Sequence, residues 1–123
     1  MAVLIFRHPD GKEFKFPLKP GTSLTIGRKP GNNVVVEHLT VSGNHAKVDA
    51  LEEGFLLSDL RSKNGTLVNG RPVMNSQWLT HGDSIEVGAC RFDFFMEDEE
   101  GLSMEEDEEP LDATVVLNMH DLL

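Results

Sequence analysis

Three short turns in this 123-residue chain carry side chains whose chemistry suits a phosphate group. They are Gly27-Arg28, Ser42-Gly43-Asn44-His45 and Ser62-Lys63-Asn64-Gly65-Thr66. A phosphate dianion is bound well by a planar guanidinium, a hydroxyl and a further cation, which Arg28, Ser42 and Lys63 supply. Because the turns are far apart in sequence, a rigid scaffold has to bring them together, and loops on a β-sheet do this well. The turns therefore predict a phosphate-binding loop surface that recognises its ligand without transforming it.

The sequence around these turns has the pattern of short β-strands. Across residues 1–96, short apolar runs alternate with turn residues, and no helical pattern is present. Phe14, Phe16 and Leu18 alternate with lysine and proline, as a half-buried strand requires, after a hairpin turn at Asp10-Gly11. We expect an all-β fold, a sandwich of about eleven short, mainly antiparallel strands.

The net charge of −10 is concentrated at one end of the chain. Residues 1–96 contain 11 basic and 10 acidic residues, a net charge of +1, whereas residues 97–123 contain 11 acidic residues and no Lys or Arg. Such an acidic run repels itself and buries little apolar surface. We therefore expect one domain at 1–96 and a disordered, flexible acidic tail at 97–123. The absence of a basic stripe argues against nucleic acid as a partner.

The sequence also predicts a cytoplasmic location without membrane attachment. It has no charged-then-apolar leader and no apolar run near the roughly 20 residues that a membrane span needs. Cys90 is the single cysteine, so an internal disulfide is excluded. We expect Cys90 to be a buried strand residue without chemistry.

Taken in order along the chain, the turn motifs resemble those of the forkhead-associated (FHA) domain family. The matching positions cover most of residues 1–96 and comprise Gly27-Arg28, Ser42-x-x-His45, Ser62-Lys63-Asn64-Gly65-Thr66, Asn69-Gly70, Gly82-Asp83 and Gly88. The resemblance implies an eleven-stranded β-sandwich that binds phosphothreonine peptides through loops at one end. It further implies a non-catalytic module of Ser/Thr kinase signalling, without a cofactor, whose partner is a phosphothreonine-bearing protein such as a kinase or a kinase substrate.

The resemblance assigns ligand-binding roles to individual residues. Arg28 matches the arginine that pairs with the phosphate, and Ser42 matches the serine whose hydroxyl donates to it. Asn64 matches the asparagine whose amide holds the peptide backbone beside the phosphorylated residue, since an amide both donates and accepts. Lys63 stands at a variable position, where its ammonium either adds a second cation or lies in solvent.

Two positions bear on affinity and selectivity. Gly43 replaces an arginine or asparagine that often reaches the peptide in the family, and it lowers affinity unless its own N–H binds the phosphate. Thr40 stands where the family selects the third residue after the phosphothreonine, and an uncharged residue there disfavours a strictly acidic preference.

The remaining motif residues are expected to hold the loops in shape. His45 matches a histidine that braces the loop carrying Ser42, because imidazole can form hydrogen bonds at both ring nitrogens. The other loop-structural residues are glycines and a turn asparagine, at Gly27, Gly65, Asn69 and Gly70; Gly65 and Gly70 provide positive φ.

Two other kinds of site are disfavoured, whereas one rival function stays open. A hydrolase would use Ser42 as nucleophile, His45 as base and Asp49 or Asp59 as orienter, but the sequence lacks a nucleophile elbow and an oxyanion loop. A metal site is disfavoured because the histidines lack ligand spacing. A phosphate-independent assembly or scaffold domain remains the alternative function.

The tail contains a candidate phosphosite. Thr114 lies in residues 111–117, a short apolar segment that follows the acidic run. Phosphorylated Thr114 is a candidate ligand for the chain's own binding loops, within one molecule or between neighbours. The alternatives are a solubilising extension and an unphosphorylated interaction segment.

Overall fold

The computed structural model describes residues 2–8 and 11–96 and the backbone of residues 115–118. In chain order the strands are β1 (Ala2–Arg7), β2 (Glu13–Leu18), β3 (Ser23–Gly27), β4 (Val34–Glu37), β5 (Ala46–Leu51), β6 (Gly54–Asp59), β7 (Thr66–Val68), β8 (Arg71–Pro72), β9 (Ser76–Trp78), β10 (Ser84–Val87), β11 (Cys90–Met96) and β12 (Val115–Asn118). The predicted all-β fold with eleven strands before the tail is confirmed.

The strands form two six-stranded sheets, in the orders β2-β1-β11-β10-β7-β8 and β12-β4-β3-β5-β6-β9. Most neighbours are antiparallel, whereas β4 pairs in parallel with both β3 and β12. The β1–β2 hairpin is present with Arg7 opposite Glu13, as the glycine turn predicted. No helix in the described part of the chain is long and apolar enough to cross a membrane.

Alternating side chains of both sheets form the core. In β11, Cys90, Phe92 and Phe94 all point inward and are at most 1% exposed. Phe94 contacts Phe55 of the opposite sheet, with ring centroids 5.4 Å apart. Burying an aromatic side chain of this size contributes about 1.5–3 kcal/mol, so this contact holds the two sheets together. Cys90 is confirmed as a buried strand residue, and burial raises the pKa of its thiol to about 11.

The strand registers place the three turns at one end of the sandwich. Ile26 near the end of β3 is opposite Ala46 at the start of β5, and Ala46 is opposite Asp59 at the end of β6. Loops 28–33, 38–45 and 60–65 therefore emerge at the same end. On the other sheet, Thr66 is opposite Val87, so the β10–β11 turn joins them there.

Strand β12 belongs to the tail and was not predicted. It pairs with β4 along the edge of the second sheet. The acidic run and Thr114 lie outside the described residues, so the predicted disorder of the acidic run and the phosphosite stay predictions.

Candidate functional site

Two of the three loops are joined by their backbones. We call residues 28–33 the Arg28 loop, residues 38–45 the Ser42 loop and residues 60–65 the Asn64 loop. The N–H of Arg28 donates to the carbonyl oxygen of Ser42 at 2.9 Å, and the N–H of Lys29 donates to that of Gly43 at 3.1 Å. These bonds hold the backbones of Arg28 and Ser42 next to each other, as a joint phosphate site requires.

The side chain of Asn32 fixes this junction from below. It is only 3% exposed, and its Nδ2 donates to the carbonyl oxygens of Gly43 at 2.8 Å and Lys29 at 2.9 Å. A buried amide with two acceptors is fully used as a donor, so it holds the two backbones at a fixed separation. The sequence showed Asn32 only as part of a Pro-Gly-Asn-Asn turn and gave no sign of this role.

The glycine before Arg28 is required by close packing. A β-carbon at Gly27 would lie 2.2 Å from the carbonyl oxygen of Gly43 and 2.6 Å from Nδ2 of Asn32. Both distances are shorter than any carbon–oxygen or carbon–nitrogen contact between non-bonded atoms. A side chain at position 27 would therefore push the Ser42 loop away from the Arg28 loop.

His45 connects the Ser42 loop to the Asn64 loop. Its ring is fully buried, Nδ1 accepts from the N–H of Ser42 at 3.0 Å, and Nε2 lies 2.8 Å from the carbonyl oxygen of Gly65. Because Ser42 donates to Nδ1, the proton is assigned to Nε2, which donates to Gly65. The ring thus spans the base of the site, in the position expected of a loop brace.

The hydroxyl of Ser42 connects the same two loops above the ring. Its Oγ accepts a hydrogen bond from the N–H of Lys63 at 2.9 Å. The oxygen is used as an acceptor, so the hydroxyl proton remains for donation to a ligand. The structure therefore brings Arg28, Ser42 and Lys63 together.

Asn64 lies over the Ser42 loop. Its Nδ2 donates to the carbonyl oxygen of Thr40 at 2.8 Å, whereas its Oδ1 bonds no residue within 2–8 or 11–96. The predicted contact of this amide with a peptide backbone stays a prediction. The exposed position of Asn64 next to Lys63 is compatible with it.

Each polar atom of Thr40 forms a hydrogen bond within the domain. Its Oγ1 accepts from the N–H of Ala89 at 2.8 Å and lies 2.8 Å from Nδ1 of His38, and its own N–H donates to that nitrogen at 3.1 Å. Its predicted contact with a peptide stays a prediction, but its hydrogen bonds are structural. The buried Nε2 of His38 has no hydrogen-bond partner among the described residues.

Asp59 organises the Asn64 loop. Its carboxylate accepts from the N–H of Ser62 at 3.2 Å, from the Ser62 hydroxyl, and from the Thr66 hydroxyl at 2.7 Å. Burial raises the pKa of Asp59, but the hydrogen bonds from Ser62 and Thr66 outweigh burial and lower the pKa below its ordinary value. The Asp59-x-x-Ser62 spacing is typical of a capped turn and could have indicated this role.

Residues with positive φ lie in turns at both ends of the sandwich. Gly65 has φ +85°, which supports the reversal that points its carbonyl at His45. Asn69 (φ 52°) and Gly70 (φ 83°) form the two-residue turn between β7 and β8. That turn is at the opposite end of β7 from the three loops, so these two residues support the scaffold and lie away from the site.

Several donors at this end have no partner among the described residues. Within the described residues, the guanidinium of Arg28 and the ammonium of Lys63 make no hydrogen bond or ion pair, and the N–H of Gly43 makes no hydrogen bond. Two cations, a hydroxyl and a backbone N–H on adjoining loops form an anion-binding surface. Its geometry suits a group with several acceptor oxygens.

The hydrolase arrangement is not formed. His45 contacts the backbone N–H of Ser42, whereas the Ser42 hydroxyl bonds Lys63. Asp49 bonds the hydroxyl of Ser23 instead of His45. In the part of the chain that the structure describes, no three His, Cys, Asp or Glu residues are placed to hold a metal ion.

Comparison with known proteins gives consistent matches to one family. The FHA domain model matches residues 24–88. The chain is 37% identical over 93 residues to the oxoglutarate dehydrogenase inhibitor of Corynebacterium efficiens, an alignment that covers 76% of this chain and 64% of that protein. It is 35% identical over 100 residues to the glycogen accumulation regulator GarA of Mycobacterium tuberculosis, covering 81% and 60%. It thus spans a little under two thirds of the length of these relatives.

Solved structures agree on the fold. One, from work on phosphothreonine-dependent FHA domain interactions, aligns with a TM-score of 0.68 and 30% identity over 79% of this chain and 97% of its own.

Proposed function

Because the chain belongs to the FHA domain family, we propose that it is a non-catalytic module that binds phosphothreonine-containing proteins in Ser/Thr kinase signalling. The observation that carries the proposal is the junction of the Arg28, Ser42 and Asn64 loops. It brings a guanidinium that has no partner among the described residues, a serine hydroxyl and an ammonium to one end of the sandwich. The phosphothreonine-dependent interactions of a structural neighbour support the choice of ligand.

The roles of the individual groups follow from their chemistry. The Arg28 guanidinium would form paired hydrogen bonds with two phosphate oxygens, since its planar fork matches phosphate geometry. Two unit charges about 4 Å apart near a surface attract by roughly 4 kcal/mol before desolvation and ordering costs. The Ser42 hydroxyl and the Gly43 N–H would donate to the remaining oxygens, and Lys63 would add a second positive charge.

The rest of the ligand would lie across the Asn64 loop. The Asn64 side chain, fixed by Thr40, would hold the backbone of the residue after the phosphothreonine. The proposal locates the protein in the cytoplasm, together with the kinase that phosphorylates its partner. The partner would be a kinase or a kinase substrate, and the names of the relatives, an inhibitor and a regulator, support a regulatory role.

The proposal extends to the tail. Thr114 would be phosphorylated and read by the same loops, within one chain or between neighbouring chains. A tethered ligand reaches an effective concentration up to the millimolar range, so even a weak site would be filled. Strand β12 shows that the tail can return to its own domain, although at the β4 edge and not at the binding loops.

The test compares three forms of one peptide. An 11-residue peptide of residues 109–119 is titrated against the full chain with Thr114 as threonine, phosphothreonine or phosphoserine, and binding is measured by calorimetry. We expect measurable affinity for the phosphothreonine form and none for the unmodified form. Equal affinity for both forms would contradict phosphate recognition and favour the assembly function. A partner that stays bound after phosphatase treatment would also support the assembly function.

A further inference from the structure

The tail strand covers an edge that the domain leaves almost open. Strand β4 pairs with β3 only at Val34 and Val35, opposite Ile26 and Gly27. Strand β12 pairs with β4 at four positions, from Val115 opposite Val34 to Asn118 opposite Glu37. An uncovered edge strand presents unpaired N–H and C=O groups, and β12 satisfies those of β4. The edge is thus a docking surface whose occupant is the chain's own segment 115–118.

The docked strand runs in a fixed direction relative to the binding loops. Strand β4 begins after the Arg28 loop and runs towards the Ser42 loop, and β12 is parallel to it. Val115 is therefore at the end of β12 that is farther from the Ser42 loop. Its register partner Val34 is level with Ile26, two residues before Arg28.

If a phosphothreonine at position 114 were bound by the loops, Val115 would have to lie away from the β4 edge. On the proposed function, the residue after the phosphothreonine lies beside Asn64, in the loop that follows β6. Strands β4, β3 and β5 separate β12 from β6, which at about 4.8 Å per spacing is about 19 Å. Asn64 also lies over Thr40, six residues beyond Val34. One Val115 backbone cannot occupy both places.

We propose that the tail has two alternative docking positions within one chain: β12 against the β4 edge when Thr114 is unmodified, and the Arg28–Ser42–Asn64 loops when Thr114 is phosphorylated. This inference rests on the proposed function. Phosphorylation of Thr114 thus closes the binding loops and uncovers the β4 edge in the same step.

The length of the tail permits both positions. Eighteen residues, 97–114, separate Met96 from Val115. At about 3.3 Å per extended residue they span up to about 60 Å. This exceeds the length of the sandwich, whose strands have at most seven residues. The covalent connection therefore does not select one position, and the choice depends on the affinities of the two sites.

The experiment follows the β4 edge and the binding loops together. The full chain is labelled with ¹⁵N and compared with the same chain carrying phosphothreonine at 114, installed by semisynthesis, under monomeric conditions. Val36 and Glu37 have β12 as their only strand partner among the described residues. Because neighbouring N–H groups of a strand point to opposite sides, the reporter of the edge is the one of these two N–H groups that points towards β12. The reporters of the loops are the N–H groups of Ser42 and Lys63.

We expect phosphorylation to speed amide hydrogen exchange at the N–H group of β4 that points towards β12 at least tenfold. The N–H signals of Ser42 and Lys63 should shift at the same time. Unchanged β4 protection together with shifted loop signals in a monomer would overturn the inference. Fast exchange at β4 in both forms would also overturn it, since β12 would then not protect the edge in solution.

Three variants and one added peptide separate the steps. Val116→Pro should remove β4 protection in the unmodified chain, whereas Met119→Pro, outside β12, should preserve it. Phosphorylated Arg28→Ala should retain β12 on the edge. A separate phosphothreonine peptide added to the unmodified chain should shift the loop signals and leave β4 protected. Loss of β4 protection on adding this peptide would contradict the explanation that the two docking positions compete for the same tail.

The two proposals fail differently. If the separate peptide binds but phosphorylated Thr114 leaves β4 protected, only the present inference is wrong. If the separate peptide shifts no loop signal at all, the proposed function is wrong, and the present inference falls with it.

Discussion

The side-chain oxygen of Ser42 accepts a hydrogen bond from the backbone N–H of Lys63, 21 residues later in the chain, at 2.9 Å. This bond joins the Ser42 loop to the Asn64 loop and orients the hydroxyl so that its proton is directed away from Lys63. A single serine therefore has two functions, since it connects two loops and offers a donor to the ligand.

Replacing Arg28 should abolish phosphopeptide binding without affecting the fold. Its exposed side chain has no partner among the described residues, so Arg28→Ala should change the free energy of unfolding by at most about 0.5 kcal/mol. Loss of the paired phosphate contact should weaken binding at least 100-fold, about 2.7 kcal/mol, by calorimetry. Arg71→Ala, an exposed arginine at the other end of the sandwich, is the matched control and should bind normally.

Adding one methyl group at Gly27 should separate the first two loops. Because its β-carbon would meet the Gly43 carbonyl at 2.2 Å, Gly27→Ala should destabilise the fold by about 1–3 kcal/mol or more and weaken phosphopeptide binding. Gly31→Ala adds the same group in the same loop, with no atom within 4 Å, and should be neutral. Urea unfolding and peptide titration measure both effects; similar behaviour of the two variants would refute the close-packing argument.

The two nitrogens of His45 can be tested separately. His45→Asn keeps an acceptor near the position of Nδ1 for the Ser42 N–H but is too short to reach Gly65, whereas His45→Leu removes both bonds. We expect destabilisation of about 2–4 kcal/mol for His45→Leu and less for His45→Asn. Amide exchange should increase at Ser42 only in the leucine variant. An unchanged Ser42 amide in that variant would rule out the brace.

The order of the Asn64 loop should depend on acid pH through Asp59. Because hydrogen bonds lower the pKa of Asp59 in the folded state, its contribution is present above the unfolded pKa of about 3.9. It is lost as the pH falls through the lower folded value. NMR signals of Ser62 and Gly65 should therefore change below about pH 4. Asp59→Asn should remove that change and lower stability at neutral pH by about 1–3 kcal/mol; a persisting acid transition would assign it to another carboxylate.

The sandwich was predictable because its signals are local. Alternation such as Phe14-x-Phe16-x-Leu18 specifies a strand and its buried face without knowledge of the partner strand. The grouping of Arg28, Ser42 and Lys63 was also predictable, since each follows or precedes a strand whose end is marked by a turn.

The contacts that depend on long-range packing were not predictable. Nothing in a Pro-Gly-Asn-Asn turn tells which asparagine faces inward, so the buried amide of Asn32 was missed. The resemblance assigned Thr40 a role in selectivity, and nothing in the loop sequence indicated that the N–H of Ala89 also donates to its hydroxyl. Segment 115–118 follows a strongly acidic run, and its pairing depends on an edge strand about 80 residues earlier.

The opposition of Ala2 and Met96 in the β1–β11 pair has a practical consequence. The first and the last residue of the sandwich domain both lie at the end of the sandwich that is opposite the Arg28 loop. A biosensor surface or a fluorescent protein attached through either end would therefore hold the ligand-reading loops towards bulk solution, where an incoming peptide meets no obstruction from the support.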